Sequence, residues 1–160
     1  MSHSKYIVDI ANKLFEYSNV YVEIRSDPMM PIPGFSLIEQ DIHGLFRPVA
    51  ILNPKILTED PSVIAHIMSH EWGHHVMRHI SKIPPLPNAE KPHDRQMKED
   101  EADTYAARFI KSHNYDTDAI EAFMREHPFD LENRLRILRE TASDNVEARS
   151  DEYNSSIGIE

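Results

Sequence analysis

The chain has no cysteine, which excludes disulfides, thiolate zinc sites and a cysteine nucleophile and fits a reducing compartment. Glycine is scarce: Gly34, Gly44, Gly73 and Gly158 are the full set. None stands in a G-x-G-x-x-G or G-x-x-x-x-G-K arrangement, so the dinucleotide and P-loop phosphate cradles are excluded. The G-x-S-x-G elbow of serine hydrolases is missing as well. No apolar run approaches the ~20 residues that span a bilayer, and the opening MSHSKYIVDIANKLFEY lacks the apolar centre of an export signal. Basic residues are outnumbered, 17 Lys and Arg against 27 Asp and Glu, for a net charge of -10. That field repels polyanions, so nucleic acid is not an expected partner. The expectation is a soluble, acidic, cytoplasmic protein. What the chain does have is histidine, ten of them in 160 residues.

A length of 160 residues suits one domain and hides roughly 68–70% of the unfolded surface. Tyr6, Ile7, Ile10, Leu14 and Phe15 recur at helical spacing, predicting a helix over 5–17 with Ser4 as its N-cap. VYVEI over 20–24 alternates and is β-branched, hence a strand. The stretch 26–34 holds three prolines in nine positions and is excluded from regular structure. Two further strands are expected over 35–38 and 45–52, joined through a turn over 39–44. Pro48 lies inside the second, and its missing N–H favours a sheet edge.

TEDP over 58–61 reads as a helix start, with Asp60 as cap and Pro61 in the first turn. The helix that follows, 62–81, carries Val63, Ile67 and Met77 on one flank and Ala65, Trp72, Val76 and Ile80 on another. A helix apolar nearly all round is a buried one. A proline-rich loop over 83–92 leads to helices over 94–112, 117–126 and 131–140, the last capped by Asp130. This order predicts an α+β fold, a small and mostly antiparallel sheet of about three strands packed on the long helix and its neighbours. Residues 1–144 are expected to form the domain and 145–160 an acidic, flexible tail.

In the middle of the buried helix stands H-E-W-G-H, from His70 to His74. Positions i and i+4 face the same way one turn apart, so both imidazoles can reach one zinc ion at about 2.0–2.1 Å. Glu71 sits one step round, where a general base belongs. Two readings fit that spacing, a buried helix with satisfied histidines or a catalytic zinc site, and the second needs a third protein ligand. Twenty-five positions after His74 comes Glu99, with Asp103 one turn further on the same face as Ala102, Ala106, Phe109 and Ile110. Carboxylates on an apolar stripe are costly unless paired or metal-bound. Glu99 as ligand and Asp103 as acceptor for a ligand imidazole N–H resolve both costs; a solvated acidic patch is the alternative, and Asp100 and Glu101 are assigned to it.

H-E-x-x-H followed by E-x-x-x-D resembles the gluzincin zinc metallopeptidases, and the local wording is similar to their HtpX-like and prenyl-protease family. VAILN over 49–53 resembles that family's substrate-side edge strand, EDEADTYAA over 99–107 its E-x-E-A-D-x-x-A-A helix, and His127-Pro128 with Arg134 its His-Pro…Arg segment. The likeness spans about 20–138. The ImmA/IrrE-type family is the runner-up; Asp103 in place of its asparagine, and the His-Pro…Arg segment, count against it. The transmembrane helices or export signals common in the HtpX-like family have no counterpart here.

The resemblance implies a zincin-like domain, a soluble zinc-dependent endopeptidase holding one Zn²⁺ per chain through His70, His74 and Glu99, with Asp103 behind a ligand histidine. Glu71 is then the general base. His127 or Arg134, with Tyr105 third, becomes the oxyanion partner, although Arg134 also suits a bidentate pair with Asp103 and His127 a helix end. Peptide substrate is expected as an extended strand along an edge over 47–52. The alternative is a catalytically inactive or regulatory zinc-binding module that holds a peptide or protein partner. His66, His75 and His79 lie off the ligand face and are assigned to packing or surface, as are Trp72 and Gly73, the latter admitting a close neighbour. Met29 and Met30 are read as gap-fillers.

Overall fold

The computed structural model describes residues 2–81 and 90–144. The expected proline loop falls largely outside them, and the acidic tail from Asn145 falls wholly outside. The fold is α+β. Helix α1 (Ser2–Ser18) is followed by strands β1 (Glu23–Ser26), β2 (Gly34–Gln40) and β3 (Phe46–Leu52), and then by a 3₁₀ turn over Pro54–Thr58. Helices α2 (Pro61–Val76), α3 (Pro92–Ser112), α4 (Thr117–Glu126) and α5 (Leu131–Glu140) complete the chain. No helix among the described residues is long and apolar enough to cross a membrane.

Helix positions follow their sequence signals closely. Asp60 caps α2, its side chain accepting from Ser62 N, with Pro61 at the first position. On α1, Ile10 and Leu14 are buried while Tyr6 and Phe15 remain exposed at the margins. Ser4 lies inside α1 rather than capping it, because the helix starts two residues earlier. Asp130 precedes α5 as expected but makes no cap hydrogen bond. Its backbone is left-handed at φ 50°, and its carboxylate accepts from Gln96 and Asn133 side chains instead.

The sheet departs further. Its order is β1-β3-β2, with β1 parallel and β2 antiparallel to β3, so it is mixed rather than mostly antiparallel. The first strand begins at Glu23, three residues later than the alternation suggests. Most consequentially, β3 is central and not an edge. Pro48 is tolerated because β1 pairs only with Val49–Leu52, so at Pro48 the strand has a neighbour on the β2 side alone. The 47–52 segment is therefore closed to a substrate strand along Val49–Leu52, and the free edge nearest α2 belongs to β2.

Helix α2 runs through the centre, packed by α1, α3, α4 and the sheet. Trp72 is fully buried on the face toward α1, where its indole N–H lies 3.0 Å from both Ser18 Oγ and Val20 O. His75 ties α2 to the sheet by donating to Val49 O at 2.9 Å. Gly73 sets the α2–α3 spacing: a Cβ there would lie 3.0 Å from Tyr105 Cδ1. Close approach at that point brings the polar faces of α2 and α3 together.

Candidate metal centre

Because His70 and His74 are one turn apart on α2, both rings leave the helix on the side that faces α3. Glu99 meets them there. Its Oε2 is 3.0 Å from His70 Nε2 and its Oε1 3.4 Å from His74 Nε2, while the two Nε2 atoms are 3.2 Å apart. Each residue offers one ligand atom, and all lie within 4.8 Å of one another. A tetrahedral ion with bonds of about 2.0–2.1 Å spaces its donors about 3.3 Å apart, so these three edges fit such an ion. The half-exposed Glu99 carboxylate leaves the outer side open to the cleft.

The surrounding hydrogen bonds assign the protons. His70 Nδ1 is 2.8 Å from Asp103 Oδ1; a carboxylate only accepts, so Nδ1 carries a hydrogen and Nε2 is the nitrogen turned toward the cluster. That nitrogen faces Glu99 oxygen and a second Nε2, an assembly of acceptors that calls for a shared cation or proton. Burial by itself lowers the His70 imidazole, but the Asp103 and Glu99 carboxylates outweigh it and hold the ring well above its ordinary 6.5. Burial raises the carboxyls of Glu99 and Asp103, and their histidine partners bring both below the usual carboxylate range. Metal and proton compete for that His70 nitrogen.

Asp103 is itself buried and anchored. Arg134 on α5 donates to it through Nε at 3.0 Å and Nη2 at 3.3 Å, the bidentate pair that the sequence admitted. Arg134 thus acts on the site through Asp103 and His70. Glu71, one step round α2, is held from the opposite side. Ser36 Oγ on β2 stands 2.7 Å from its Oε1 and 3.0 Å from its main-chain oxygen. Gly34 leaves room for that carboxylate, since a Cβ there would come within 3.1 Å of Glu71 Cγ and 3.2 Å of Oε2. Sequence reasoning missed Ser36, which carries no local signal of its role.

It also misplaced His79. Read as a helical residue, His79 points away from the ligand face. However, α2 ends at Val76, and Arg78 takes the left-handed conformation at φ 58°. The turn closes with Arg78 N–H to His75 O at 3.1 Å and His79 N–H to His74 O at 2.8 Å, the paired bonds of a Schellman motif. The chain doubles back, and the His79 ring comes to lie 3.0 Å, Nδ1 to Nδ1, from His74.

Two cavities flank the cluster. One of about 460 Å³ reaches toward α4 and α5, past Ile67, Phe123, Met124 and Phe129. The other, about 380 Å³, opens past Phe35 and Ser36 toward His79. His70, Glu71 and Glu99 border both, and so does Arg95, one turn before Glu99 on α3. Of the oxyanion candidates, Arg134 lines the larger of these two cavities, and His127 and Tyr105 line neither. His127 stays at the end of α4, its ring stacked on Phe123 and its Nδ1 3.2 Å from Phe123 O. Tyr105 packs between Gly73 and Tyr17. Burial pushes its hydroxyl up to about 12. Neither is brought to the triad. Met29 fills no gap, being 85% exposed. Comparison with family models, curated proteins and solved structures returns no match.

Proposed function

We propose that this chain is a zinc-dependent endopeptidase with a zincin-like catalytic domain. The observation that supports it most is the convergence of His70 Nε2, His74 Nε2 and the Glu99 carboxylate on one point, with Glu71 beside them. Zinc held there supplies Lewis acidity, which polarises a scissile carbonyl and lowers the pKa of a water from 15.7 toward about 7. Asp103 and Arg134 fix the orientation of His70. Glu71, steadied by Ser36, accepts the proton of the attacking water and delivers it to the leaving amine. Arg95, whose guanidinium has no ion pair among the described residues, is the cation left to face negative charge developing in the cleft.

Substrate enters as an extended strand along the free edge of β2 near Gly34–Ser36, in place of the edge first expected on β3. The larger cavity, walled by Ile67, Phe123, Met124 and Phe129, takes an apolar side chain next to the scissile bond. Glu71→Gln is the test. The variant should retain zinc and lose cleavage of an unfolded casein-type substrate by at least about 100-fold, the low end of a general base's contribution. Equal cleavage by variant and wild type would remove Glu71 from the chemistry. A zinc-loaded wild type that cuts nothing would instead favour the peptide-binding module.

A further inference from the structure

The two ligand histidines are supported differently. His70 donates its Nδ1 hydrogen to a carboxylate, whereas His74 Nδ1 meets another imidazole nitrogen, His79 Nδ1, at 3.0 Å. Only one hydrogen fits between those two nitrogens. If His79 supplied it, His74 would carry its own hydrogen on Nε2, pointing into the cluster, and His79 Nε2 would be a bare lone pair. That Nε2 is buried and makes no hydrogen bond among the described residues, and the Glu101 carboxylate faces it with Oε2 at 3.6 Å. A lone pair opposite a carboxylate is unfavourable, and an N–H there is favourable. Glu101 therefore selects the arrangement in which His79 carries its hydrogen on Nε2 and accepts from His74 Nδ1–H. His74 Nε2 is then left bare toward His70 and Glu99.

We infer that Glu101 and His79 form a relay that holds His74 in its metal-binding tautomer, the counterpart of Asp103 at His70. The inference rests on the zinc reading of the triad. It makes His79 and Glu101 positioning residues, and it gives α3 a part in both supports, through Asp103 for one ligand and Glu101 for the other. The left-handed Arg78 is what delivers His79 to its place.

Long-range ¹H–¹⁵N spectra of the zinc-loaded wild type read the tautomers directly. The expected pattern is a hydrogen on Nδ1 of His74 and on Nε2 of His79; a hydrogen on Nδ1 of His79 overturns the relay. Zinc affinity by chelator competition gives a second reading. His79→Leu, which offers no acceptor, should bind zinc about 10–100-fold more weakly. His79→Asn keeps an acceptor oxygen near the Nδ1 position and should restore most of the loss. If wild type binds zinc tightly and His79→Leu binds it equally, the relay falls while the zinc site stands. A wild type that fails to bind zinc brings down both.

Discussion

Two arginine–carboxylate pairs of the same chemical kind occur in different regions of this molecule. In the seam between α3 and α5, Arg134 grips Asp103 with two nitrogens, and the Asp103 side chain is 6% exposed. On the sheet, Arg25 grips Glu39 with two nitrogens, but the side chains are 37% and 40% exposed. The sheet pair belongs to a surface lattice with Glu23, Arg47 and Asp41. Water and salt can replace each of its partners. Asp103 has no such substitute, because it also accepts from His70 and is closed off from solvent. Burial and the third partner, more than the ion pair itself, turn one arginine into a support for the site and leave the other a surface contact.

Removing the buried carboxylate should have the largest effect. Asp103→Ala strands Arg134 and frees the His70 ring. A loss on the order of 3 kcal/mol in urea unfolding is expected from breaking a buried pair, with zinc bound about 10–100-fold more weakly. Wild-type values in both measurements would erase the distinction between the two pairs.

His66 probes the same seam by pH. Burial pushes its imidazole down to about 3, opposed by Asp103 and aided by Arg134 and His70. Between pH 6.5 and 3 the unfolded chain binds a proton that the folded chain refuses. Stability from this residue is therefore complete above 6.5 and declines as the pH falls, by up to about 1.4 kcal/mol per unit. His66→Gln should lose less stability than wild type between pH 7 and 5; parallel profiles would mean the ring is solvated. The smallest effect belongs to Arg25→Ala, which should change the melting temperature by no more than replicate scatter and less still at high salt. A large drop would give the sheet lattice a structural weight its exposure denies.

The helical part of the site was legible because its signals are local and periodic. His70, His74, Glu99 and Asp103 needed only the i, i+4 rule and an apolar stripe to be placed on facing helix surfaces. The sheet carried no equivalent, since strand order depends on how the chain crosses over and not on any strand's own residues. Pro48 argued for an edge, yet one unpaired position at the end of a central strand was enough to admit it. The end of α2 shows the same limit. Asn19 and Asn114 take positive φ just after α1 and α3, a residue type that tolerates it. Arg78 does so with no such preference, and the apolar pattern runs on past it. His79 and Ser36 were missed for that reason: each reaches the site through tertiary placement alone.

Metal analysis of the purified chain, dialysed after exposure to zinc, bears on the whole scheme. One equivalent should remain on wild type and essentially none on Glu99→Ala. A wild type that stays metal-free, or a Glu99→Ala variant that keeps its full equivalent, would show that the three converging side chains do not make a zinc site.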